Sequence, residues 1–225
     1  PKLKKIFVKN RPDYVFHLAA QSLVKKSFEK PVETFMSNTL GTMNILESLS
    51  LLKTRCHAVI ITSDKSYKNL EIERGYTEND LLGGDDPYSA SKGAAELIIN
   101  SYYKSVLRFK KNLSVTVARA GNVIGGGDWS DDRVVPDCVK SWSKNKSVQI
   151  RNPNSTRPWQ HVLEVIRGYI QCGIQSKKYK ETINGEAFNF GPRINQNKTV
   201  IQLVKEMKTH WKKVKWKIKK DKTKK

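Results

Sequence analysis

The sequence predicts an α/β fold in which an open, doubly wound parallel sheet is joined to a smaller second lobe. Short apolar runs alternate with segments of helical periodicity, and this strand–helix–strand rhythm is typical of parallel βαβ units. The chain has 225 residues, 38% of them hydrophobic, which is enough for one ordinary core. Polar residues follow the second strand and begin the next helix, near the sheet edge where ligands of such folds bind.

The first half of the chain contains three predicted strands and two predicted helices. The strands are apolar and rich in β-branched or aromatic residues, which favours burial on both faces. The first helix repeats methionine and leucine every three or four residues, and the second follows Asp86 and Pro87, which suit a helix start. In order, these elements are a strand at 13–20, a helix at 36–53, a strand at 58–62, a helix at 88–109 and a strand at 114–119.

After the glycine loop at 125–127 the pattern changes to shorter strands and separate helices. We expect a helix near 132–145, a strand at 148–151, a helix at 162–176, a strand at 187–190 and a helix near 198–212. The predicted organisation is therefore a partial dinucleotide-binding domain with the catalytic residues at 1–127 and a small substrate-binding lobe, interleaved with the sheet, at 128–210. The lysine-rich segment 211–225 is predicted to be disordered.

The formal net charge of +21 is concentrated at the two ends of the chain. Residues 201–225 contain eleven lysines against two acids, whereas the middle of the chain carries only a modest basic excess. That excess suits an enzyme that binds a diphosphate ester and a dinucleotide. We interpret the terminal lysines as a solvated surface, and contact with nucleic acid is the less favoured alternative.

Composition also indicates a cytoplasmic protein without a metal site. No apolar run reaches the ~18 residues that a membrane span requires, and no signal-peptide pattern follows the basic first residues. The three cysteines, Cys56, Cys138 and Cys172, are widely spaced and form no C-x-x-C pair. This spacing argues against a disulfide framework or a zinc site and favours a reducing compartment.

Two residues one helical turn apart form the first candidate catalytic pair. Tyr88 and Lys92 lie at the start of the second predicted helix, where positions i and i+4 share a face. A phenol with a pKa of about 10 is a poor base at neutral pH, but a neighbouring ammonium stabilises the phenolate and lowers that pKa. The spacing alone also fits a surface tyrosine with an unrelated lysine. Its place after a Gly/Asp/Pro loop favours catalysis.

A second polar cluster ends the predicted strand at 58–62. Ser63, Asp64 and Lys65 follow Thr62 and place a hydroxyl, a carboxyl and an amine at a strand end. Groups there can converge on a ligand without burying unpaired polar atoms in the sheet. The alternative is a simple turn with a Ser/Asp cap. Beside the tyrosine–lysine pair, the cluster predicts an active site.

With these motifs the chain resembles the extended short-chain dehydrogenase/reductase superfamily and, within it, the CDP-glucose 4,6-dehydratase family. The resemblance extends from about residue 11 to about residue 191. The Asp-Lys pair after the serine, where dTDP-glucose dehydratases carry Asp-Glu, indicates the narrower family. The motifs are HLAAQS at 17–22, NTLGT at 38–42, TSDK at 62–65 followed by Tyr67, YxxxK at 88–92, RAGN at 119–122, GGGDW at 125–129 and RPWQH at 157–161.

The resemblance implies a Rossmann-like, NAD-dependent hydro-lyase that converts CDP-glucose to CDP-4-keto-6-deoxyglucose in deoxysugar and lipopolysaccharide O-antigen biosynthesis. It implies that Tyr88, helped by Lys92 and Ser63, takes the C4 hydroxyl proton while the C4 hydride passes to NAD+. Asp64 would then protonate the departing C6 hydroxyl and Lys65, with a depressed pKa, would remove the C5 proton. Elimination needs an acid and a base beyond the redox pair, whereas a plain epimerase needs neither.

Two further sets of residues are expected to bind ligands. Small residues after the first strand let the backbone approach a dinucleotide, although ordinary core packing is the alternative. A guanidinium in the loop at 157–161 suits bidentate binding of a diphosphate, while His161 more simply orients this loop. We expect cofactor contacts from Leu18, Ala19, Ala20, Thr62, Tyr88 and Lys92, and substrate contacts from Gln21, Ser22, Asn122, Arg133, Arg157 and His161.

One expected motif is missing from the sequence. A dinucleotide site of this kind uses a G-x-x-G-x-x-G turn before the first helix, and none precedes Arg11. We therefore expect that the chain lacks the family's first strands and part of its small lobe, that the longer protein is a homodimer, and that activity of this chain is in doubt. The alternatives are another nucleotide-sugar epimerase or dehydratase, or a non-catalytic fragment that binds a sugar nucleotide or nucleic acid.

Overall fold

The structure of the chain, a computed structural model, describes residues 2–211 and 213–218, apart from the side chain of Ile194. Its helices are α1 (Lys2–Asn10), α2 (Val24–Glu29), α3 (Pro31–Phe35), α4 (Gly41–Ser50), α5 (Pro87–Ser105), α6 (Val134–Trp142), α7 (Val162–Lys178), α8 (Lys180–Ile183) and α9 (Val200–His210). Its strands are β1 (Tyr14–His17), β2 (Cys56–Ile61), β3 (Leu113–Ala120), β4 (Val123–Ile124), β5 (Val148–Ile150), β6 (Thr156–Arg157), β7 (Gln160–His161), β8 (Ala187–Phe190), β9 (Lys198–Thr199) and β10 (Trp216–Ile218).

Four parallel strands form the sheet of the first compact unit, which comprises residues 1–121 and 164–190. Their order is β1-β2-β3-β8, so successive strands along the chain are neighbours. In the register of this sheet Tyr14 lies opposite His57, and Cys56 lies opposite Leu113. The carboxyl ends of β1 and β2 therefore lie at the same sheet edge. The predicted parallel α/β fold class is confirmed.

Helices cover both faces of this sheet. On one face α4 and α5 pack on alternate residues of β2 and β3, as strand periodicity requires. On the other face α7 approaches so closely that a Cβ on Gly168 would lie 2.4 Å from the ring of Phe190. Burying each large apolar side chain contributes roughly 1.5–3 kcal/mol. The core of the first face includes Leu46, Leu49, Ala58, Ile60, Ile99, Leu107, Leu113, Val115 and Val117.

The second compact unit comprises the described residues of 122–163 and 191–225. Its core combines α6, α9 and β5, and Trp142 is 2% exposed within it. The indole Nε1 of Trp142 donates to the Lys215 carbonyl at 3.0 Å, which satisfies a buried donor. Next to that carbonyl, β10 pairs in parallel with β5, with Trp216 opposite Val148. This unit therefore depends on the chain beyond residue 211.

Two predictions about organisation differ from the structure. Residues 164–190 belong to the first unit because β8 pairs with β3, so the boundaries 1–127 and 128–210 do not describe the division. Disorder was predicted for 211–225 and is wrong for Trp216–Ile218, because Val214 and Trp216 pack against the second core. Lys212 and residues 219–225 lie outside the described part of the chain.

Most predicted elements lie within a few residues of the observed ones, and the N-terminal helices were missed. The helix α1 buries Phe7 against the first core, although its sequence suggests only a basic segment. The predicted helix at 36–53 begins as a π-helical turn at Met36–Leu40, which continues from α3 into α4. Among the described residues, no helix combines the length and apolarity needed to cross a bilayer.

Candidate active site

The polar turn after β2 forms the centre of the candidate site. Thr62 and Ser63 are 7% and 8% exposed, and a 3-10 turn covers Asp64–Ser66. The Ser63 hydroxyl donates to Asp64 Oδ1 at 2.9 Å and accepts from the Lys65 backbone N–H at 3.2 Å. Asp64 is half-buried and the Lys65 side chain is exposed. The turn therefore presents hydroxyl, carboxyl and amine groups within three consecutive residues.

The first turn of α5 is fixed by its N-cap. Asp86 Oδ1 accepts from the backbone N–H groups of Tyr88 and Ser89 at 2.9 and 3.0 Å, and Asp86 Oδ2 accepts from the Ser89 hydroxyl at 2.6 Å. Pro87 occupies the first helical position, where its missing N–H costs no hydrogen bond. Asp86 and Pro87 therefore begin α5 directly before Tyr88, where the sequence predicts the start of the helix.

Both members of the predicted tyrosine–lysine pair are buried. Tyr88 is 8% exposed and Lys92 is 6% exposed. Burial lowers the pKa of Lys92 to about 8, and the neighbouring Glu96 carboxylate partly opposes that effect. Burial, and then the charge of Lys92, lowers the pKa of His17 to about 4. The Lys92 ammonium therefore lies near the end of β1 in a site with little water.

The structure brings the turn after β2 against α5. Thr62 Oγ1 donates to Glu96 Oε1 at 2.5 Å, which joins the strand end directly to the helix of Tyr88 and Lys92. A Cβ on Gly93 would lie 3.4 Å from the Ser66 carbonyl oxygen, so the helix backbone itself lies close to the turn. The two predicted catalytic groups thus occupy neighbouring elements of one unit.

The segment after β1 completes this edge of the sheet. Gln21 is buried, and its backbone N–H donates to Asn38 Oδ1 at 2.8 Å. Asn38 Nδ2 in turn donates to the Gln21 carbonyl at 3.0 Å and to Ser91 Oγ at 2.9 Å. Asn38 lies in the π-helical turn, a feature that often marks functional sites. Leu18, Ala19, Ala20 and Ser22, predicted to contact ligands, are exposed.

Two buried charged residues of this site were not assigned a role by the sequence analysis. Arg119 in β3 donates from Nε to Glu96 Oε1 at 2.8 Å and from Nη2 to Glu96 Oε2 at 2.9 Å. Arg119 and Glu96 are 5% and 4% exposed. Glu96 follows Lys92 by four residues, as Lys92 follows Tyr88, so helical spacing was a usable signal for it.

The remaining predicted substrate residues lie in the second unit. β4 pairs with β7, and the Gln160 backbone N–H donates to the Asn122 carbonyl at 3.0 Å. Asn122 therefore lies beside the strand of His161, whose side chain is exposed and accepts from the Leu163 N–H at 3.2 Å. The structure thus groups Asn122 and His161 in neighbouring segments.

The two arginines predicted to bind substrate, Arg133 and Arg157, have separate partners. Arg133 precedes α6 and forms an ion pair of 2.8 Å with Asp128, which belongs to the loop after the three glycines. Arg157 lies in β6 and donates to the Thr156 carbonyl at 2.7 Å. Each of these two arginine residues is half-buried.

Comparison with known proteins identifies relatives for the whole chain. The family model described as GDP-mannose 4,6 dehydratase matches residues 1–225. A CDP-glucose 4,6-dehydratase of Salmonella typhimurium is 45% identical over 215 residues, which cover 93% of this chain and 59% of that protein. A dTDP-D-glucose 4,6-dehydratase of Dictyostelium discoideum is 30% identical over 178 residues, or 74% of this chain and 39% of that protein. The chain thus spans less than two thirds of these relatives.

Solved structures share the fold. A dTDP-glucose 4,6-dehydratase of Streptomyces venezuelae, with NAD bound, superposes with a TM-score of 0.79 and 19% identity, covering 97% of this chain and 64% of that one. A UDP-glucuronic acid 4-epimerase of Bacillus cereus superposes with a TM-score of 0.82 and 20% identity, covering 98% and 66%. At such identities the likeness concerns the fold alone, which is of the Rossmann type.

Proposed function

Because the chain belongs to the GDP-mannose 4,6 dehydratase family, we propose that it contributes the catalytic residues of an NAD-dependent nucleotide-sugar 4,6-dehydratase whose substrate is CDP-glucose. The observation that carries the proposal is that the two predicted catalytic clusters lie in neighbouring elements of the first compact unit. The turn with Ser63, Asp64 and Lys65 is hydrogen-bonded through Thr62 to the helix of Tyr88 and Lys92. The 45% identity to a CDP-glucose 4,6-dehydratase supports the choice of substrate.

In the first half-reaction Tyr88 acts as the base toward the sugar C4 hydroxyl. The buried ammonium of Lys92 favours the phenolate, because an opposite charge in a site with little water stabilises the charged form. Ser63 Oγ binds the same C4 oxygen and holds it toward Tyr88. NAD+, when bound, supplies the hydride acceptor for C4. Because that hydride later returns to C6, the whole reaction involves no net oxidation of the sugar.

In the second half-reaction the turn supplies an acid and a base. The 4-ketone acidifies the C5 proton, Lys65 removes that proton, and Asp64 in its protonated form protonates the leaving C6 hydroxyl. Lys65 is exposed in this chain. Loss of water leaves a 4-keto sugar with a C5–C6 double bond, and return of the hydride to C6 with a proton from the Lys65 ammonium to C5 gives the 4-keto-6-deoxy sugar.

The residues after β1 and at the start of α5 fit a dinucleotide. Leu18, Ala19 and Ala20 are small or exposed and leave their backbone open at the carboxyl edge of the sheet. Lys92 offers a buried ammonium at the same edge, which suits the hydroxyl groups of a ribose. With Thr62 and Tyr88, these residues are proposed to hold NAD on its nicotinamide side.

The remaining parts of the proposal concern the substrate and the setting of the protein. We assign Gln21, Ser22, Asn122, Arg133, Arg157 and His161 to binding of the sugar nucleotide. The arginines suit a diphosphate because a guanidinium binds its oxygens in pairs. We further propose a cytoplasmic homodimer that acts in the biosynthesis of deoxysugars for lipopolysaccharide O-antigen, without nucleic acid as a partner.

The test is to incubate this chain, and separately a longer natural chain that contains it, with CDP-glucose and NAD+. A 4-keto-6-deoxy product, followed by its absorbance in alkali, is expected, with dTDP-glucose turned over more slowly. A C4 epimer as the only product would identify an epimerase instead. Salt-sensitive binding to nucleic acid without turnover by either chain would favour a non-catalytic protein.

A further inference from the structure

The ion pair between Glu96 and Arg119 lies beside the candidate catalytic residues, since Glu96 is one helical turn from Lys92 and contacts Thr62. Two parallel hydrogen bonds of 2.8 and 2.9 Å join the guanidinium to the carboxylate, and both side chains are at least nine-tenths buried. Bidentate geometry of this kind fixes the orientation of both planar groups. The pair connects the helix α5 to the central strand β3.

The carboxylate also binds the turn that carries the proposed acid and base. Glu96 Oε1 accepts from Thr62 Oγ1 at 2.5 Å and lies 3.5 Å from Ser66 Oγ. Thr62 precedes Ser63, and Ser66 Oγ donates back to the Ser63 carbonyl at 2.7 Å. One carboxylate thus contacts the residues on both sides of the Ser63–Lys65 sequence without touching the reacting groups themselves.

The guanidinium extends the connection to the far side of the unit. Arg119 Nη1 donates to Tyr67 Oη at 2.7 Å and to the Glu78 carbonyl at 2.9 Å. Tyr67 Oη in turn donates to Asn189 Oδ1 of β8 at 2.7 Å. The buried guanidinium of Arg119 therefore contacts the loop that follows the turn and, through Tyr67, is connected to Asn189 of β8.

Glu96 has a second effect through its position on the helix. It lies one turn after Lys92, and its negative charge raises the pKa of that lysine against the larger, opposite effect of burial. Arg119 neutralises most of the same charge at close range. The charge of Lys92 is therefore sensitive to whether this pair is intact.

We propose that Glu96 and Arg119 form a positioning pair that fixes the Ser63–Lys65 turn against the Tyr88–Lys92 helix for the proposed dehydration. This inference depends on the proposed function for its catalytic meaning. A buried ion pair adds little net stability, since its desolvation cancels most of the attraction, so stability alone does not account for it. The pair is instead explained by the orientation that it gives to the Ser63–Lys65 turn and by its effect on the charge of Lys92.

The test compares Glu96→Gln with Glu47→Gln, a matched control in α4 whose carboxylate binds Lys4 and Tyr102 away from the site. The first readout is the pKa of Lys92 in the intact chain, from the ¹³Cε shifts of labelled lysine, assigned by loss of the signal in Lys92→Arg. Glu96→Gln is expected to lower that pKa by roughly 0.5–1, because a stabilising negative charge is lost. Glu47→Gln is expected to leave it unchanged. An unchanged pKa in folded Glu96→Gln overturns the inference.

The second readout is the turnover of CDP-glucose, measured in whichever chain forms product in the activity test described above. Glu96→Gln is expected to lower kcat more than it raises KM and to move the alkaline limb of the pH profile to lower pH. Arg119→Lys keeps the charge but loses the fork, so kcat should fall while the Lys92 pKa changes less. A wild-type kcat in Arg119→Lys contradicts a positioning role.

Two further variants, both at Thr62, cover the case in which Glu96→Gln does not fold. Thr62→Val removes only the hydroxyl that joins the strand end to the pair, and Thr62→Ser restores it. Because Thr62 is also proposed to contact NAD, rates are measured at saturating NAD+. A loss of kcat of roughly tenfold in Thr62→Val with recovery in Thr62→Ser supports the inference, and an unchanged kcat, with or without a raised KM for NAD+, overturns it. If Glu96→Gln lowers the Lys92 pKa but the wild-type chain turns over no CDP-glucose, the coupling between Glu96 and Lys92 is supported and the proposed function is contradicted.

Discussion

At the scale of single residues, the most informative group is the buried amine of Lys92. An amine that is 6% exposed is costly to keep charged, and burial accordingly lowers its pKa from 10.5 to about 8. In the proposed reaction this charge stabilises the Tyr88 phenolate through a medium of low polarity, so the proposal explains why a costly buried amine stands at this position.

That cost predicts a pH-dependent gain in stability for Lys92→Met. At pH 7 both folded and unfolded chains hold the proton, so wild type bears the full cost and the variant should be more stable by roughly 1–3 kcal/mol. Between about pH 8 and 10.5 the folded chain releases the proton first, wild type gains stability and the difference shrinks. Urea unfolding at pH 7 and pH 10 measures it, with exposed Lys104→Met as control. A difference independent of pH contradicts the assignment.

The two halves of the proposed reaction predict different defects. Tyr88→Phe should slow both turnover and the reduction of NAD by roughly 10²–10⁴-fold, because the base for the first step is gone. Lys65→Met should abolish the 4-keto-6-deoxy product but still reduce NAD, since oxidation at C4 precedes elimination. Exposed Lys68→Met should behave as wild type. Stopped-flow absorbance of reduced NAD separates these outcomes, and product from Lys65→Met would exclude that lysine as the base.

The sequence predicts Tyr88 and Lys92 as a candidate pair, whereas the contact between Glu96 and Arg119 beside them was not predicted. Tyr88 and Lys92 have a fixed spacing and a recognisable place after a loop. Glu96 continues the same spacing, but a charged residue on a helix is usually solvated, and only the fold places Arg119 opposite it. Long-range partners of this kind depend on the register of β3 against α5, which local periodicity does not contain.

At the scale of elements, the start of α5 depends on one side chain. Asp86 accepts three hydrogen bonds from the first turn, the turn that also carries Tyr88. Asp86→Ala should therefore cost about 1 kcal/mol of folding free energy and lower kcat by loosening Tyr88. The exposed neighbour Asp85→Ala provides the control and should change neither. Chemical denaturation with parallel kinetics measures both effects, and equal behaviour of the two variants would contradict the capping role.

Elements with a strong period were predicted well and others were not. The strands β2 and β3 are buried over nearly their whole length because both faces of the sheet are covered, and their many apolar residues indicated this in the sequence. The helices α1 and α2 are short or lysine-rich, and tertiary contacts such as the burial of Phe7 stabilise them. The π-helical turn at Met36–Leu40 has no sequence period of its own, so it was read as ordinary helix.

At the scale of the whole molecule, two compact units each close their own core with a distant part of the chain. β8 returns to β3 in the first unit, and β10 returns to β5 in the second. Composition suggested a disordered tail because lysines dominate it, yet valine, tryptophan and isoleucine alternate with lysine at 214, 216 and 218. A period of two was the stronger signal.

This arrangement predicts a role for Trp216 in folding. Trp216→Ala should destabilise the second unit by about 2 kcal/mol, because its half-buried ring packs on the core around Trp142. Lys217→Ala, on the same strand and exposed, should cost little. Thermal unfolding followed by tryptophan fluorescence compares the two variants. Equal stability of both would contradict the packing of Trp216 and support the predicted disorder of this segment.

In the proposed dehydration, residues of the first unit serve a reaction in which the hydride removed from C4 ends at C6. The most direct measurement supplies CDP-glucose with deuterium at C4, together with NAD+, to the active chain and locates the label in the product by NMR. Deuterium at C6 of a 4-keto-6-deoxy sugar is the predicted result. Deuterium returned to C4 of an epimerised hexose would contradict the account.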